Sequence, residues 1–168
     1  MTRLSDVARN RKYTGTSDGA APGNRAGTEE FVKQVAKLTG GALWNNGTWV
    51  VRNKRGKESL SVHATGRAMD LSYRKTGSKG KPDGREHARE LIKLLVANNE
   101  ELGIEMILDY FPVPHGRGWR CDRQAWTKYT RRTITGAPGG DWIHVEISPK
   151  MADSPQAVRA AFASLKKT

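Results

Sequence analysis

The sequence predicts a single small α+β domain, in which about three helices flank a mainly antiparallel sheet. One reason is length, since 168 residues suffice for one domain whose core needs no cross-links. A second is patterning: helical and extended hydrophobic segments both occur, without the strand–helix–strand rhythm of a parallel sheet. A third is composition, because 36% hydrophobic and 27% charged residues are typical of a soluble domain.

The first 27 residues are polar and turn-rich, and we expect a basic arm or loosely packed lead-in there. The predicted domain therefore covers residues 28–168. Thr28 has the properties of an N-cap, and an apolar face follows it until Gly40 supplies a stop. This pattern predicts the first helix over 28–39.

The remaining elements follow from periodicity and punctuation. A second helix is expected to open at Asp83 and end before Gly103, and a last one to start with Ser154 as its N-cap. Residues 115–135 carry tryptophans and arginines and predict no more than a loop that could contain a short helix. Strands are expected at Thr48–Arg52, Arg67–Ser72, Ile104–Tyr110 and Trp142–Ile147.

Charge and cysteine content limit the classes of function. A net charge of +12 and a pI near 10.1 favour an anionic partner, which could be nucleic acid or a bacterial cell wall, although a solvated basic surface would look the same. One cysteine, Cys121, excludes an internal disulfide framework and a multi-cysteine metal site. No apolar run approaches the ~20 residues of a membrane span, and no signal peptide is expected at the N-terminus.

Two short clusters about seventy residues apart carry the candidate chemistry. His63, Asp70 and His144 have the number and type of side chains that a catalytic zinc ion takes from a protein. Zinc lowers the pKa of its bound water from ~15.7 to ~7, and a carboxylate that is not a ligand must then move protons. Asp141 is the candidate for that role. Ordinary polar residues in a basic domain remain the alternative, because single histidines are common in other roles.

The spacing of the second cluster restricts its geometry. Residues three apart in a strand point to opposite faces, so Asp141 and His144 cannot both be regular strand residues at one metal. We expect Gly139–Gly140 to place Asp141 in a turn just before the strand. Glu146 shares a face with His144 and is expected to support that histidine rather than bind the metal.

The first cluster poses the same problem. His63 and Asp70 are seven residues apart, which in one regular strand would also place them on opposite faces. Gly66 lies between them, and we expect the chain to turn there.

Together these residues form two linked motifs. The first, Ser-x-His-x-x-Gly-x-Ala-x-Asp, is filled at every fixed position by Ser61, His63, Gly66, Ala68 and Asp70. The second, an acid followed three residues later by a histidine, is filled by Asp141 and His144. In both motifs the chain resembles the zinc peptidases that include bacterial D-alanyl-D-alanine carboxypeptidases, vancomycin-resistance dipeptidases and phage L-alanyl-D-glutamate endolysins. The resemblance covers roughly residues 48–148.

The resemblance implies a role for each residue and a small α+β scaffold whose antiparallel sheet lines a zinc cleft. Asp141 would be the catalytic acid/base, and an aspartate there is closer to the phage endopeptidases. Arg52, or less closely Arg55, would bind substrate or stabilise the oxyanion. Ser61 would hold substrate or the histidine loop, although a turn-forming hydroxyl is equally compatible with it. One zinc ion per chain would be held by His63, Asp70 and His144.

The implied function is a zinc-dependent, endolysin-like peptidase that hydrolyses a peptidoglycan stem-peptide bond next to a D-amino acid. Such a protein is expected to be a monomer that is made in the host cytoplasm. It would reach the cell wall through a holin or within a virion, and its charge would attract anionic wall polymers. Two alternatives stay open: a basic nucleic-acid-binding module with aromatic stacking residues, and an inactive relative that only binds the wall.

Overall fold

The computed structural model describes residues 10–51, 53 and 60–165. In this part of the chain five helices accompany one six-stranded sheet, which confirms the predicted α+β class. The helices are Ala26–Leu38 (α1), Gly84–Ala97 (α2), Asn99–Leu102 (α3), Pro149–Asp153 (α4) and Pro155–Ala163 (α5). The strands are Trp44–Asn45 (β1), Ala68–Ser72 (β2), Ile104–Asp109 (β3), Arg117–Arg120 (β4), Ala125–Lys128 (β5) and Trp142–Ile147 (β6).

The sheet has the strand order β1-β2-β6-β3-β4-β5, and every neighbouring pair is antiparallel. This confirms the expected antiparallel sheet. The inner strand β6 pairs with β2 on one side and with β3 on the other. Its side chains are therefore held in register from both edges.

The two faces of the sheet have different chemistry. Along β6, Ile143, Val145 and Ile147 are fully buried in the same hydrophobic core as the apolar residues of α1, α2 and α5. His144 and Glu146 alternate with them and so lie on the opposite face of the sheet. The helices thus cover one face of the sheet, and the other carries the polar residues.

The predicted helices are present, with corrections to the second helix and to one cap. The helix expected from Asp83 to just before Gly103 is divided at Asn98 into α2 and α3. Ser154 caps α5 as expected, because its Oγ accepts a hydrogen bond from the backbone N–H of Ala157 at 3.1 Å. Thr28 is not an N-cap: it lies inside α1, and its buried hydroxyl donates to the carbonyl of Gly66 at 2.6 Å. Within the described ranges, no helix is both long and apolar enough to cross a membrane.

The predicted strand Thr48–Arg52 is wrong for residues 48–51, which form no strand. Its last residue, Arg52, lies outside the described residues. The carbonyl of Thr48 accepts a hydrogen bond from the ring of His63 at 2.9 Å, and the indole of Trp49 donates to the carbonyl of Ala21 at 3.1 Å. Thr48 is buried beside His63, whereas Val50 and Val51 are exposed, so the β-branched composition here reflects no strand.

The unassigned segment 115–135 contains the β4–β5 hairpin at the end of the sheet. Trp119 and Trp126 are opposite each other in the register, and Trp119 is 1% exposed. The guanidinium of Arg117 lies over the ring of Trp126 at 4.0 Å. A strand was missed here because β5 is mostly exposed and lacks the apolar–polar alternation of a half-buried strand.

Candidate metal centre

His63 lies in a single 3₁₀ turn, Val62–Thr65, that precedes β2. Ser61 caps the turn, since its Oγ accepts a hydrogen bond from the backbone N–H of His63 at 3.3 Å. Gly66 ends the turn with φ of 76°, a left-handed conformation that side chains disfavour. The expected change of chain direction at Gly66 is confirmed, and it brings His63 alongside β2.

Asp70 and His144 meet through strand pairing, because they are directly opposite in the β2–β6 register. The Nδ1 atom of His144 lies 3.1 Å from Oδ1 of Asp70, and Nε2 of His63 lies 3.3 Å from the same oxygen. The two imidazole rings meet edge to face with centroids 4.9 Å apart. One ligand atom from each of these three side chains lies within 4.8 Å of the other two, so the group could hold a metal ion.

The outer nitrogen of each histidine already has a partner. Nδ1 of His63 lies 2.9 Å from the carbonyl of Thr48, and Nε2 of His144 lies 2.9 Å from Oε1 of Glu146. A carbonyl and a carboxylate accept hydrogen bonds, which assigns a proton to each of these outer nitrogens. The inner nitrogens, Nε2 of His63 and Nδ1 of His144, are therefore left to face Asp70. This is the arrangement that metal-binding histidines require.

The electrostatics of the group favour positive charge at its centre. Burial opposes a charge on His144, but hydrogen bonds to Asp70 and Glu146 outweigh it and raise the pKa of His144 to about 10. Burial likewise acts to raise the pKa of Asp70, and the hydrogen bonds from His144 and His63 hold it well below its usual range. Asp70 between the two rings and Glu146 on the outer side of His144 thus favour positive charge here, carried by protonated His144 or by a bound metal ion. The donor set of two imidazoles and one carboxylate fits zinc.

Glu146 supports His144 and is itself inaccessible, with 3% of its surface exposed. Its second oxygen, Oε2, accepts a hydrogen bond from the hydroxyl of Tyr13 at 2.6 Å. Burial would raise the pKa of Glu146, whereas the hydrogen bond with His144 lowers it, and the lowering prevails. Glu146 thus contacts His144, the histidine that it was expected to support, while Tyr13 carries no sequence signal for its contact with Glu146.

Asp141 occupies the bend just before β6. Gly139 has φ of 83°, so the expected turn ahead of the strand is confirmed. The carboxylate of Asp141 accepts two hydrogen bonds from the guanidinium of Arg74, at 2.6 and 3.1 Å. Asp141 does not belong to the group of three converging ligand atoms. Among the described residues, the possible metal ligands are therefore His63, Asp70 and His144 without Asp141.

An aromatic pair borders the centre and was not predicted. The rings of Tyr110 and Trp142 stack with centroids 4.4 Å apart. Burial, together with the negative charge of Asp70, raises the pKa of the Tyr110 hydroxyl, which places Tyr110 in the electrostatic field of the centre. Trp142 is two residues before His144 and therefore on the same face of β6, which was the available sequence signal.

No protein-family model, curated protein or solved structure matches the chain. The interpretation of the centre therefore rests on its own residues and geometry.

Proposed function

We propose that this protein is a zinc-dependent peptidoglycan peptidase of endolysin type, which hydrolyses a stem-peptide amide bond next to a D-amino acid. The supporting observation is the convergence of His63, Asp70 and His144, with the outer nitrogen of each ring already bound. A zinc ion held by these three side chains retains a coordination position for water or substrate. When bound, zinc would polarise a carbonyl and lower the pKa of water toward ~7.

The chain's own residues would perform the remaining steps. Hydrolysis joins the oxygen of water to the carbonyl carbon and breaks the C–N bond. Asp141 would take a proton from the attacking water and give it to the leaving amine, a contribution of about 10²–10⁴-fold in rate. Arg52 would stabilise the oxyanion, worth about 3 kcal/mol, and Ser61 would keep the His63 turn in place.

The proposed substrate is consistent with the charge of the chain. A net charge of +12 would concentrate the enzyme on an anionic wall, an effect that weakens with salt. The stacked rings of Tyr110 and Trp142 would provide an apolar wall beside the reacting bond. We propose a monomer made in the host cytoplasm that reaches the wall through a holin or in a virion.

The arrangement of the aromatic residues gives little support to the nucleic-acid alternative. Trp119, an aromatic residue of segment 115–135 that could stack on a base according to sequence, is 1% exposed and so cannot do so. Trp126 already has the guanidinium of Arg117 over its ring. The inactive wall-binding alternative has no specific support, because every proposed ligand and the acid are present.

Zinc content and wall cleavage, measured on the wild type and on Asp141→Ala, test the proposal. We expect one zinc per chain in both proteins by elemental analysis. We expect wild-type protein to release amines from purified peptidoglycan, and Asp141→Ala to be slower by roughly 10²-fold or more because proton transfer is lost.

Asp122→Ala is the matched control, because Asp122 also forms a two-hydrogen-bond pair with one arginine, Arg120, but on the β4–β5 hairpin. This variant should cleave at the wild-type rate. Metal-free wild-type protein that binds DNA with a steep salt dependence would refute the peptidase proposal. If the wild-type protein cleaves the wall, mass spectrometry of products from a defined muropeptide would identify the bond that is cut.

A further inference from the structure

Residues 10–25, called the N-terminal segment below, contact the surroundings of both histidines. We propose that this segment sets the metal affinity of the centre by holding His63 and His144 in their ligand orientations. This role presupposes the metal site of the proposed function. It assigns to the predicted lead-in a part in the site that its sequence does not indicate.

On the His144 side the contact is made by Tyr13. Its hydroxyl donates to Oε2 of Glu146 at 2.6 Å, while Oε1 of Glu146 lies 2.9 Å from Nε2 of His144. Each oxygen of this buried carboxylate is thus committed to one partner. Because a carboxylate is planar, holding Oε2 restricts the position of Oε1 and so the rotation of the imidazole.

On the His63 side the contact is made by Ala21. Its backbone N–H donates to the carbonyl of Ala64, inside the 3₁₀ turn that carries His63, at 2.8 Å. Its carbonyl accepts from the indole of Trp49 at 3.1 Å, next to Thr48, whose own carbonyl binds the ring of His63. Ala21 therefore binds the turn that carries His63 through its N–H, and through its carbonyl it binds Trp49, the residue after the one that orients the ring.

Buried charge holds the N-terminal segment in place. Arg67 is fully buried and forms ion pairs with Asp18 at 3.1 Å and Glu105 at 3.4 Å, and it also donates to the carbonyl of Gly15. Thr14 donates to the same oxygen of Glu105 at 2.7 Å. A buried guanidinium without its carboxylates is costly, so displacement of the segment is opposed. The contacts of Tyr13 and Ala21 are part of a fixed arrangement rather than of a loose tail.

Tyr13→Phe tests the proposal with little other disturbance. It deletes the hydroxyl and keeps the ring, over which the guanidinium of Arg120 lies at 4.1 Å. We expect the zinc dissociation constant, measured by competition with a chromophoric chelator, to rise about tenfold, the low end of the range for groups that support a metal ligand. We also expect the visible absorption of the cobalt-loaded protein to change, because the geometry of a ligand changes.

Thr14→Val is the matched control, since it removes only the hydroxyl hydrogen bond to Glu105, while the backbone N–H of residue 14 still donates to the same carboxylate at 3.2 Å and keeps the segment anchored. It should lower the melting temperature and leave the zinc dissociation constant and the cobalt spectrum unchanged. Ala21→Pro, which removes the N–H on the His63 side, should weaken zinc binding independently.

The outcomes separate this inference from the proposed function. If wild-type protein binds zinc and Tyr13→Phe binds it equally well, the role of the segment is refuted and the metal centre stands. Equal weakening by Tyr13→Phe and Thr14→Val would also refute it, since general loss of stability would then explain both. A wild type that binds no zinc would refute the centre and the inference together.

Discussion

Asp70 and Asp141 lie in or next to the paired strands β2 and β6, and different contacts hold the two side chains. Asp70 lies inside β2 opposite His144, and two imidazoles contact one of its oxygens. Asp141 lies just outside β6, and its partner is Arg74, whose side chain is 64% exposed. The side chains of the two aspartates are 22% and 33% exposed, so accessibility differs less than the means of support.

This difference corresponds to two chemical requirements. A metal ligand must be fixed before the ion arrives, and strand register would supply that at Asp70, a proposed ligand. A proton-transfer group must change its charge and hydrogen bonds during each turnover, and the exposed ion pair with Arg74 would allow this in the role proposed for Asp141. The predictions below probe this contrast.

The largest effect is expected from the loss of His144, which contacts both Asp70 and Glu146. His144→Ala should abolish stoichiometric zinc and lower the free energy of unfolding of the metal-free protein by about 3 kcal/mol, because Asp70 and Glu146 lose their shared partner. Elemental analysis and urea unfolding measure these changes. His87→Ala, which removes a surface histidine paired with Asp83, should change neither quantity. Retention of zinc by His144→Ala would place the metal elsewhere.

Zinc should stabilise the fold through His63, Asp70 and His144, without a contribution from Asp141. At a free zinc concentration one hundred times the dissociation constant, the free energy of unfolding should rise by about 2.7 kcal/mol. Thermal or urea unfolding with and without zinc measures this difference. Asp141→Ala should show the same zinc-dependent rise in the free energy of unfolding. If zinc no longer stabilises this variant, Asp141 is itself a ligand.

The stability of the protein in acid should depend on Asp18, whose carboxylate pairs with Arg25 and with the buried Arg67. Burial acts to raise the pKa of Asp18, but hydrogen bonds from Arg25 and Arg67 prevail and lower it. A lowered folded-state pKa contributes stability above the unfolded value of about 4, and this is lost as pH falls through the folded-state pKa. Asp18→Asn should therefore be less stable than wild type at pH 7, with the difference narrowing toward pH 3 in urea unfolding. A constant difference would contradict this linkage.

The smallest effect on stability is expected at the exposed ion pair of Arg74 with Asp141. Arg74→Ala should leave the free energy of unfolding almost unchanged and the zinc affinity unchanged, since the ion pair with Asp141 is exposed. Wall cleavage should nevertheless slow several-fold, because the carboxylate of Asp141 loses its orientation. Arg89→Ala, which breaks an exposed pair with Glu86 on α2, is the control and should not affect cleavage. Unchanged cleavage by Arg74→Ala would show that this pair has no part in the reaction.

The features that local patterns specify were predictable from sequence. Periodic apolar residues located α1, α2 and α5, and β3 and β6 were found to within a residue. The three metal-site residues were also predictable, because a motif of fixed spacing lists them. Gly66 and Gly139 followed from a simple geometric rule, since neither motif can reach one site along a regular strand.

Other features were missed for identifiable reasons. Residues 48–51 have strand composition, but they lie beside the His63 turn and pair with no strand. Thr28 looks like a cap because its hydroxyl is polar, yet it is used inside α1 to bind the carbonyl of Gly66. Strand β5 was missed because propensity is weak where a strand is mostly exposed, and β4 has only four residues, two of them arginines.

The sequence by itself determined the α+β class, most element positions and the identity of three converging side chains, because these depend on composition and spacing along the chain. Only the tertiary structure decided which nitrogen of each histidine faces Asp70, and that Tyr13 supports Glu146 from 133 residues away. These features depend on hydrogen bonds between distant segments, for which no local pattern exists. The contrast between Asp70 and Asp141 likewise became visible only once strand register and burial were known.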